Sequence, residues 1–133
     1  MNKLKKKIVM ILEKTDTGFS AFAADYPFYT TGISISELLD NAFEAADFYF
    51  EEEEEELKIT IENIKFEIDF KQFFQYYRVL NSKFLADRIG MNPTLLSQYV
   101  HGRKKPSSSQ TKKILLGINQ IGQELSEIKF IQP

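Results

Sequence analysis

The sequence predicts an α+β domain of order strand-strand-strand-helix-strand over residues 1–68, followed by an all-α helix-turn-helix domain over residues 69–133. Three observations predict it. Apolar residues alternate with a period of two through much of the first half and recur at helical spacing through the second. Residues 1–68 hold fifteen acids and seven bases, a balance of −8, whereas residues 69–133 hold four acids and ten bases, a balance of +6. Finally, LADRIGMNPTLLSQYVHGRKKP, residues 85–106, sets one glycine between two short apolar-patterned stretches and then turns basic.

Composition bounds the chemistry. A hydrophobic content of 43% with twelve Phe in 133 residues is enough for a real core, so wholesale disorder is not expected. With no cysteine and one histidine, His101, neither a disulfide framework nor a His/Cys metal cluster has its ligands; no cofactor is implied. No apolar run approaches the ~20 residues of a membrane span. The basic start leads into Ile8–Leu12, too short an apolar run for a signal peptide, and the expected setting is cytoplasmic. The net charge of −2 conceals the opposite signs of the halves.

The elements follow in order. Ile8–Leu12 is a buried-type strand, Thr15-Asp16-Thr17-Gly18 is turn chemistry, and Phe19–Ala23 resumes an extended pattern. Asp25-Tyr26-Pro27 breaks it, because the residue before proline avoids helical angles. Phe28–Gly32 suits a third strand. Ser34 and Glu37 have capping-box spacing, and Ile35, Leu38, Leu39, Ala42, Ala46 and Tyr49 or Phe50 then make one helical stripe. Six carboxylates, Glu51–Glu56, follow; they face the negative end of the helix dipole, so the helix should fray there. The simpler role for the run is a solvated helix end, the sharper one phosphate mimicry toward a basic cleft. Leu57, Ile59 and Ile61 alternate, as do Ile64, Phe66 and Ile68, with the phase slipping at Glu62-Asn63. Either a tight hairpin or a bulge in one longer strand fits that slip.

Helical spacing takes over at Asp69, an N-cap with Gln72 at the box position. Phe70, Phe73, Phe74 and Tyr77 give one apolar face. Asn81 or Ser82 caps a second helix running to about Ile89. Asn92 caps a third whose first residue is Pro93, where the missing amide hydrogen costs nothing. Gly102–Ser109 reads as a loop, and Ile114, Leu115, Ile118, Ile121 and Leu125 mark a last long helix. The tail Glu127–Ile131 alternates again and could add a strand to the other domain or to a second chain.

A helix-turn-helix needs two helices crossing steeply across a short turn. A small residue must allow the close approach, and Ala86 supplies it; the turn needs cheap positive φ, and Gly90 follows four residues later. Leu85, Ile89, Met91, Leu96 and Tyr99 or Val100 fill the sealing positions. Off that stripe lie Thr94, Ser97, Gln98 and His101. Thr94 and Ser97 suit base edges or phosphate, and Gln98 suits bidentate pairing with adenine. Asn92 and the free amides of the helix N-terminus suit a phosphate. Lys83, Arg103, Lys104 and Lys105 suit backbone phosphates, which orient a reading helix without reading sequence. His101 has a plainer use, bonding the last carbonyls of its helix.

FEIDFKQFFQYYRVLNSKFLADRIGMNPTLLSQYVHGRKKPSSSQTKKILLGINQIGQEL, residues 66–125, resembles the phage-repressor (Cro/repressor-like) helix-turn-helix superfamily. The first half, especially TGFSAFAADYPFYTTGISISELLDNAFEAADFYFEE, resembles the N-terminal domain of HicB-type antitoxins through its strand–turn–strand, Asp-x-Pro break, glycine before a Ser-capped helix, and Ala/Glu-rich helix. Where that family usually follows the proline with Gly-Cys, this chain has Phe28-Tyr29. The resemblance implies a partial ribonuclease-H-like domain joined to a DNA-binding domain. It implies an antitoxin that blocks a small basic HicA-like mRNA-cleaving toxin and represses its own operon as a homodimer or higher oligomer.

Nuclease activity is not expected, since ribonuclease-H chemistry needs carboxylates converging on two metal ions. The body of the first strand carries no acid, and Glu13, Asp16 and Asp25 lie at strand ends or turns. Two other expectations compete with the antitoxin: a stand-alone transcription regulator whose first domain senses a ligand or dimerises, and an interaction scaffold whose tail strand exchanges between chains. Operator DNA is the expected partner of the second half, read by a two-fold pair of helices at one helical turn of spacing. A sheet edge, the helix over 110–125 and the tail strand are the candidate dimer surfaces.

Overall fold

Ile8–Thr15 (β1), whose apolar run Ile8–Leu12 alternates buried with half-buried, turns through Asp16-Thr17 into Gly18–Ala23 (β2), and the two strands pair antiparallel with Thr15 opposite Gly18. Tyr29–Gly32 (β3) pairs antiparallel with β2. The computed structural model of the chain describes residues 7–52 and 59–131. Lys14 fastens the first turn, its ammonium donating to the carbonyls of Thr15 (2.6 Å) and Gly18 (3.0 Å) above the Phe19 ring. The third strand starts one residue later than the alternation predicts. Phe28 instead joins Tyr26, Tyr49 and Phe50 in an aromatic cluster with centroids 5.1–6.5 Å apart, and this packing closes the loop around Pro27.

Ile35–Glu52 (α1) is capped as its sequence predicts at Ser34, whose Oγ accepts the Glu37 amide at 3.1 Å. Glu37 reaches back one residue further than expected, its carboxylate accepting from the Ile33 amide at 2.6 Å. Leu38, Ala42, Ala46 and Phe50 face the sheet and are buried, whereas Ile35, expected on that stripe, is exposed at the first turn. Ile8, Met10, Leu12, Ala21, Ala23, Ile59 and Ile64 complete this core. The small Ala42 and Ala46 let the helix lie close to the strands.

The slip at Glu62-Asn63 is neither a hairpin nor a bulge in its described part. Ile61–Asn63 forms one 3₁₀ turn, held by the Thr60 amide on Asn63 Oδ1 and the Asn63 amide on the Thr60 carbonyl, both at 2.9 Å. Ile64–Ile68 (β4) then runs parallel to β1, Ile8 opposite Ile64 and Leu12 opposite Ile68, giving the order β3-β2-β1-β4. Parallel pairing requires a long crossover, and α1 supplies it. The first domain is thus a β-β-β-α-β mixed sheet. Leu57, Lys58 and the last four glutamates of the acidic run lie outside the described residues; Glu51 and Glu52 close α1.

Four helices follow: Phe70–Tyr76 (α2), Ser82–Ile89 (α3), Pro93–Val100 (α4) and Ser108–Ser126 (α5). Asp69 caps α2 as expected, its Oδ1 accepting the Gln72 amide at 3.0 Å. Gln72 does not complete a capping box. Its carboxamide bonds both sides of Lys14, accepting from the amide at 2.9 Å and donating to the carbonyl at 2.7 Å. The Asp69 amide already donates to the Leu12 carbonyl at 3.1 Å, so the side chain of Gln72 extends the β1–β4 ladder by one rung. The chain divides into two compact units, Met1–Phe73 and Phe74–Pro133. That division falls five residues past the boundary read at Asp69.

The tail forms no strand in its described part. The Glu127 and Ile128 amides continue the last turn of α5 by bonding the Glu124 and Leu125 carbonyls, and residues 128–131 belong to no helix or strand. A strand needs a neighbour for its amides and carbonyls, and alternation alone does not provide one. Among the described residues no helix is long and apolar enough to cross a membrane.

Gln72→Ala should lower stability by about 1–2 kcal/mol, because it removes the two hydrogen bonds between its carboxamide and Lys14. Lys71→Ala on the exposed side should change it by under ~0.5 kcal/mol. Urea midpoints check both; equal midpoints for the two variants would contradict the added rung.

Candidate nucleic-acid interface

Asn81 opens α3, its Oδ1 accepting the Phe84 amide at 3.1 Å. Leu85 and Ala86 are buried on this eight-residue helix. Gly90 ends it in the left-handed region at φ 68°, ψ 36°, and the Met91 amide closes the turn on the Ala86 carbonyl at 2.9 Å. Nothing lies within 4 Å of where a Cβ on Gly90 would stand, so its backbone angle alone calls for glycine. A Cβ on Gly117 of α5, by contrast, would stand 2.2 Å from Ile89 Cγ2. The missing side chain there brings α5 against α3. Met91, Leu96, Tyr99 and Ile114 are buried in the same unit, so the sealing positions read from the sequence are filled.

With Leu96 and Tyr99 inward, α4 turns its other side out. Thr94 is exposed, and Ser97 and Gln98 are half-buried. Asn92 caps α4, its Oδ1 accepting from the Thr94 (2.8 Å) and Leu95 (3.2 Å) amides. This corrects one expectation. Pro93 has no amide hydrogen, and the Leu96 amide donates to the Asn92 carbonyl at 3.1 Å. The first turn therefore has no free amide for a phosphate, and Asn92 can offer only its Nδ2 group. His101 serves the plainer use, with Nδ1 2.8 Å from the Ser97 carbonyl and 3.2 Å from Ser97 Oγ. Donating to that carbonyl places the ring proton on Nδ1 and leaves Nε2 for solvent or a ligand.

The basic exit is held against this surface. Gly102, at φ 72°, turns the chain back, and the amides of Arg103 (2.8 Å) and Lys104 (3.3 Å) both donate to the Gln98 carbonyl. Arg103, Lys104 and Lys105 are exposed. The same peptide that carries the outward glutamine thus anchors the cationic loop. Lys83 is exposed on the first turn of α3, and hydrogen bonds do not tie it to the loop.

One cation was missed. Lys113 of α5 donates to the Gly90 carbonyl at 3.3 Å, placing a positive charge at the turn, with exposed Lys112 beside it. In the sequence the pair is an ordinary polar face of a helix; only the packing of α5 on α3 brings it across 23 residues. Arg88 does not join the set, since it is paired with Glu124. The arrangement can seat one short helix on a polyanion, with Thr94, Ser97 and Gln98 at its centre and cations at its exit and turn. Among the described residues no three His, Asp or Glu side chains converge as a metal site would require. Comparison with protein-family models, curated proteins and solved structures finds no match.

Gly117→Ala should cost about 1–3 kcal/mol by forcing Ile89 from its place, and that penalty should largely vanish when Ile89 is already alanine. Gly90→Ala should cost about 1–2 kcal/mol through backbone angle alone, with no such coupling. Thermal unfolding of the double-mutant cycle checks both; additive effects of Gly117→Ala and Ile89→Ala would contradict the close approach.

Proposed function

We propose that this chain is an antitoxin that also represses its own operon, with the C-terminal unit reading operator DNA and the N-terminal unit masking a small basic mRNA-cleaving toxin. The observation that carries the DNA half is the anchoring of Arg103 and Lys104 on the carbonyl of Gln98. A reading helix needs cations beside it to fix register on the phosphates, while its side chains contact base edges. In this reading Gln98 pairs with a base, Thr94 and Ser97 contact a neighbouring base or phosphate, and Lys83, Arg103, Lys104 and Lys105 hold the backbone. Asn92 serves first as the cap that sets the angle of α4, and His101 as the group that steadies Ser97. Lys113 adds to the phosphate contacts.

Charge supports the second half. The helix α1 carries six acids and no base, and Glu37, Asp40, Glu44, Asp47 and Glu51 recur at three- and four-residue steps and are exposed. They form one acidic stripe about 20 Å long at ~1.5 Å per residue. A protein that grips RNA presents cations, and this stripe is complementary to it. The likeness to HicB-type antitoxins points the same way. No catalytic role is assigned to either unit, and no cofactor is needed.

Gln98→Ala should cost ~1–3 kcal/mol on operator DNA and relax the preference at one base pair. Arg103→Ala should weaken operator and random DNA alike and reduce the salt slope by ~1. Gel retardation over a salt series separates the two, and equal loss on both DNAs for Gln98→Ala would show that α4 is not the reading helix. Co-expression with the product of an adjoining small basic reading frame tests the other half. Rescue of growth is expected; retained DNA binding without rescue would leave a stand-alone regulator.

A further inference from the structure

The two edges of the sheet differ. At the β3 edge, α1 takes outward backbone groups: Asn41 Nδ2 donates to the Thr31 carbonyl at 2.8 Å, and the Glu37 carboxylate accepts from the Ile33 amide at 2.6 Å. At the other edge lies β4, Ile64-Lys65-Phe66-Glu67-Ile68, and among the described residues no strand lies beyond it. Its outward groups follow from its pairing. The Asp69 amide donates to the Leu12 carbonyl of β1, and backbone groups alternate sides along a strand. Lys65 and Glu67 therefore bond toward β1, and the amides and carbonyls of Ile64, Phe66 and Ile68 face away from it. The side chains show the same opening. Phe66 and Ile68 are half-buried, whereas Met10 and Leu12, their partners on β1, are buried. Neither proline nor bulge interrupts this edge, and an unpaired edge is a template for another strand.

We infer that a second copy of this chain pairs along β4, antiparallel and centred on Phe66, so that two sheets join into one. The sequence of the strand favours that occupant. Ile-Lys-Phe-Glu-Ile carries charges of opposite sign at mirror positions about its centre. A two-fold axis through Phe66 therefore sets Ile64 opposite Ile68, Phe66 opposite its copy, and Lys65 opposite Glu67 on both sides of the axis. The backbone agrees with this register. Ile64, Phe66 and Ile68, whose groups face out, become the hydrogen-bonded pairs, and the edge gains about six bonds. Lys65 and Glu67 then fall at the non-bonded pairs, where opposed side chains stand closest. They project from the face opposite α1, because Ile64, Phe66 and Ile68 pack on the core. A strand from a uniformly basic protein would set a cation against Lys65, and one from an acidic protein a carboxylate against Glu67. A strand that alternates in sign as β4 does fits both. The capped β3 edge stops the sheet from extending further, so this pairing closes at two copies and does not run on as a fibre.

The inference goes beyond the proposed function and rests on neither of its halves, and its test uses neither DNA nor toxin. Sedimentation velocity on the full chain over a micromolar concentration series should show paired copies. Lys65→Glu alone, or Glu67→Lys alone, brings like charges together on both sides of the axis. Either should weaken pairing by about 10- to 100-fold, with the far-ultraviolet circular dichroism spectrum unchanged. An equimolar mixture of the two variants should pair again, since every facing couple is then opposite in sign, and so should the chain that carries both changes. A purely structural role for the two charges within one chain would not produce that rescue on mixing. A monomeric wild type, pairing that survives either single reversal, or a mixture that fails to restore it would overturn the assignment.

Discussion

Ala86 is the constraint on which the C-terminal unit depends. Its methyl is fully buried, and the turn that follows closes on its own carbonyl. On the next face Ile89 lies where a Gly117 side chain would otherwise stand. Thus α3 is held by its smallest residue at the turn and by a missing side chain on α5. Eight residues are too few for a helix to persist alone in water, so α4 exists because Leu96 and Tyr99 are seated. Whatever seats them also aims Thr94, Ser97 and Gln98, which occupy the remaining arc of the same short helix. The direction of the polar side chains is a consequence of apolar packing.

The same economy of small contacts joins local structure to chemistry elsewhere. Gln98 supplies an outward side chain and, through its carbonyl, the anchor for two amides of the basic loop. Gln72 lends its carboxamide to β1 in place of a peptide, tying the start of α2 to the sheet. Opposite charge is segregated between the units, and the acidic member presents its stripe on a helix free of bases. Under the proposed function, segregation lets one chain meet a polyanion and a polycation on separate surfaces, with each surface repelling the other's ligand.

Much of this was legible because its causes are local. Ser34, Asp69, Asn81 and Asn92 cap the helices that their side chains announce, and the Ala86–Gly90 spacing placed the turn. What the sequence hid depends on partners distant in the chain. The run before Ile64 alternates like a strand, yet the crossover brings β4 to β1 directly and leaves a 3₁₀ turn in between. The Gln72 rung, the Lys113 contact and the Phe28 cluster each join segments that no local pattern pairs. In the candidate site the outward residues were readable from helical spacing. The exhausted amides at the N-terminus of α4 were not, because spacing shows that Asn92 caps but not that it takes two donors. The tail's alternation is genuine, but alternation describes faces and not partners, and in its described part this chain forms no strand there.

The central claim, that the surface built around Gln98 faces DNA, is tested most directly by amide chemical shifts on titrating a duplex of the chain's own promoter into the protein at moderate salt. The account predicts the largest perturbations across residues 92–105, with smaller ones at Lys83, Gly90 and Lys113, and little change in β1–β4. Perturbations concentrated in the sheet or along α1, with residues 92–105 undisturbed at saturation, would contradict it.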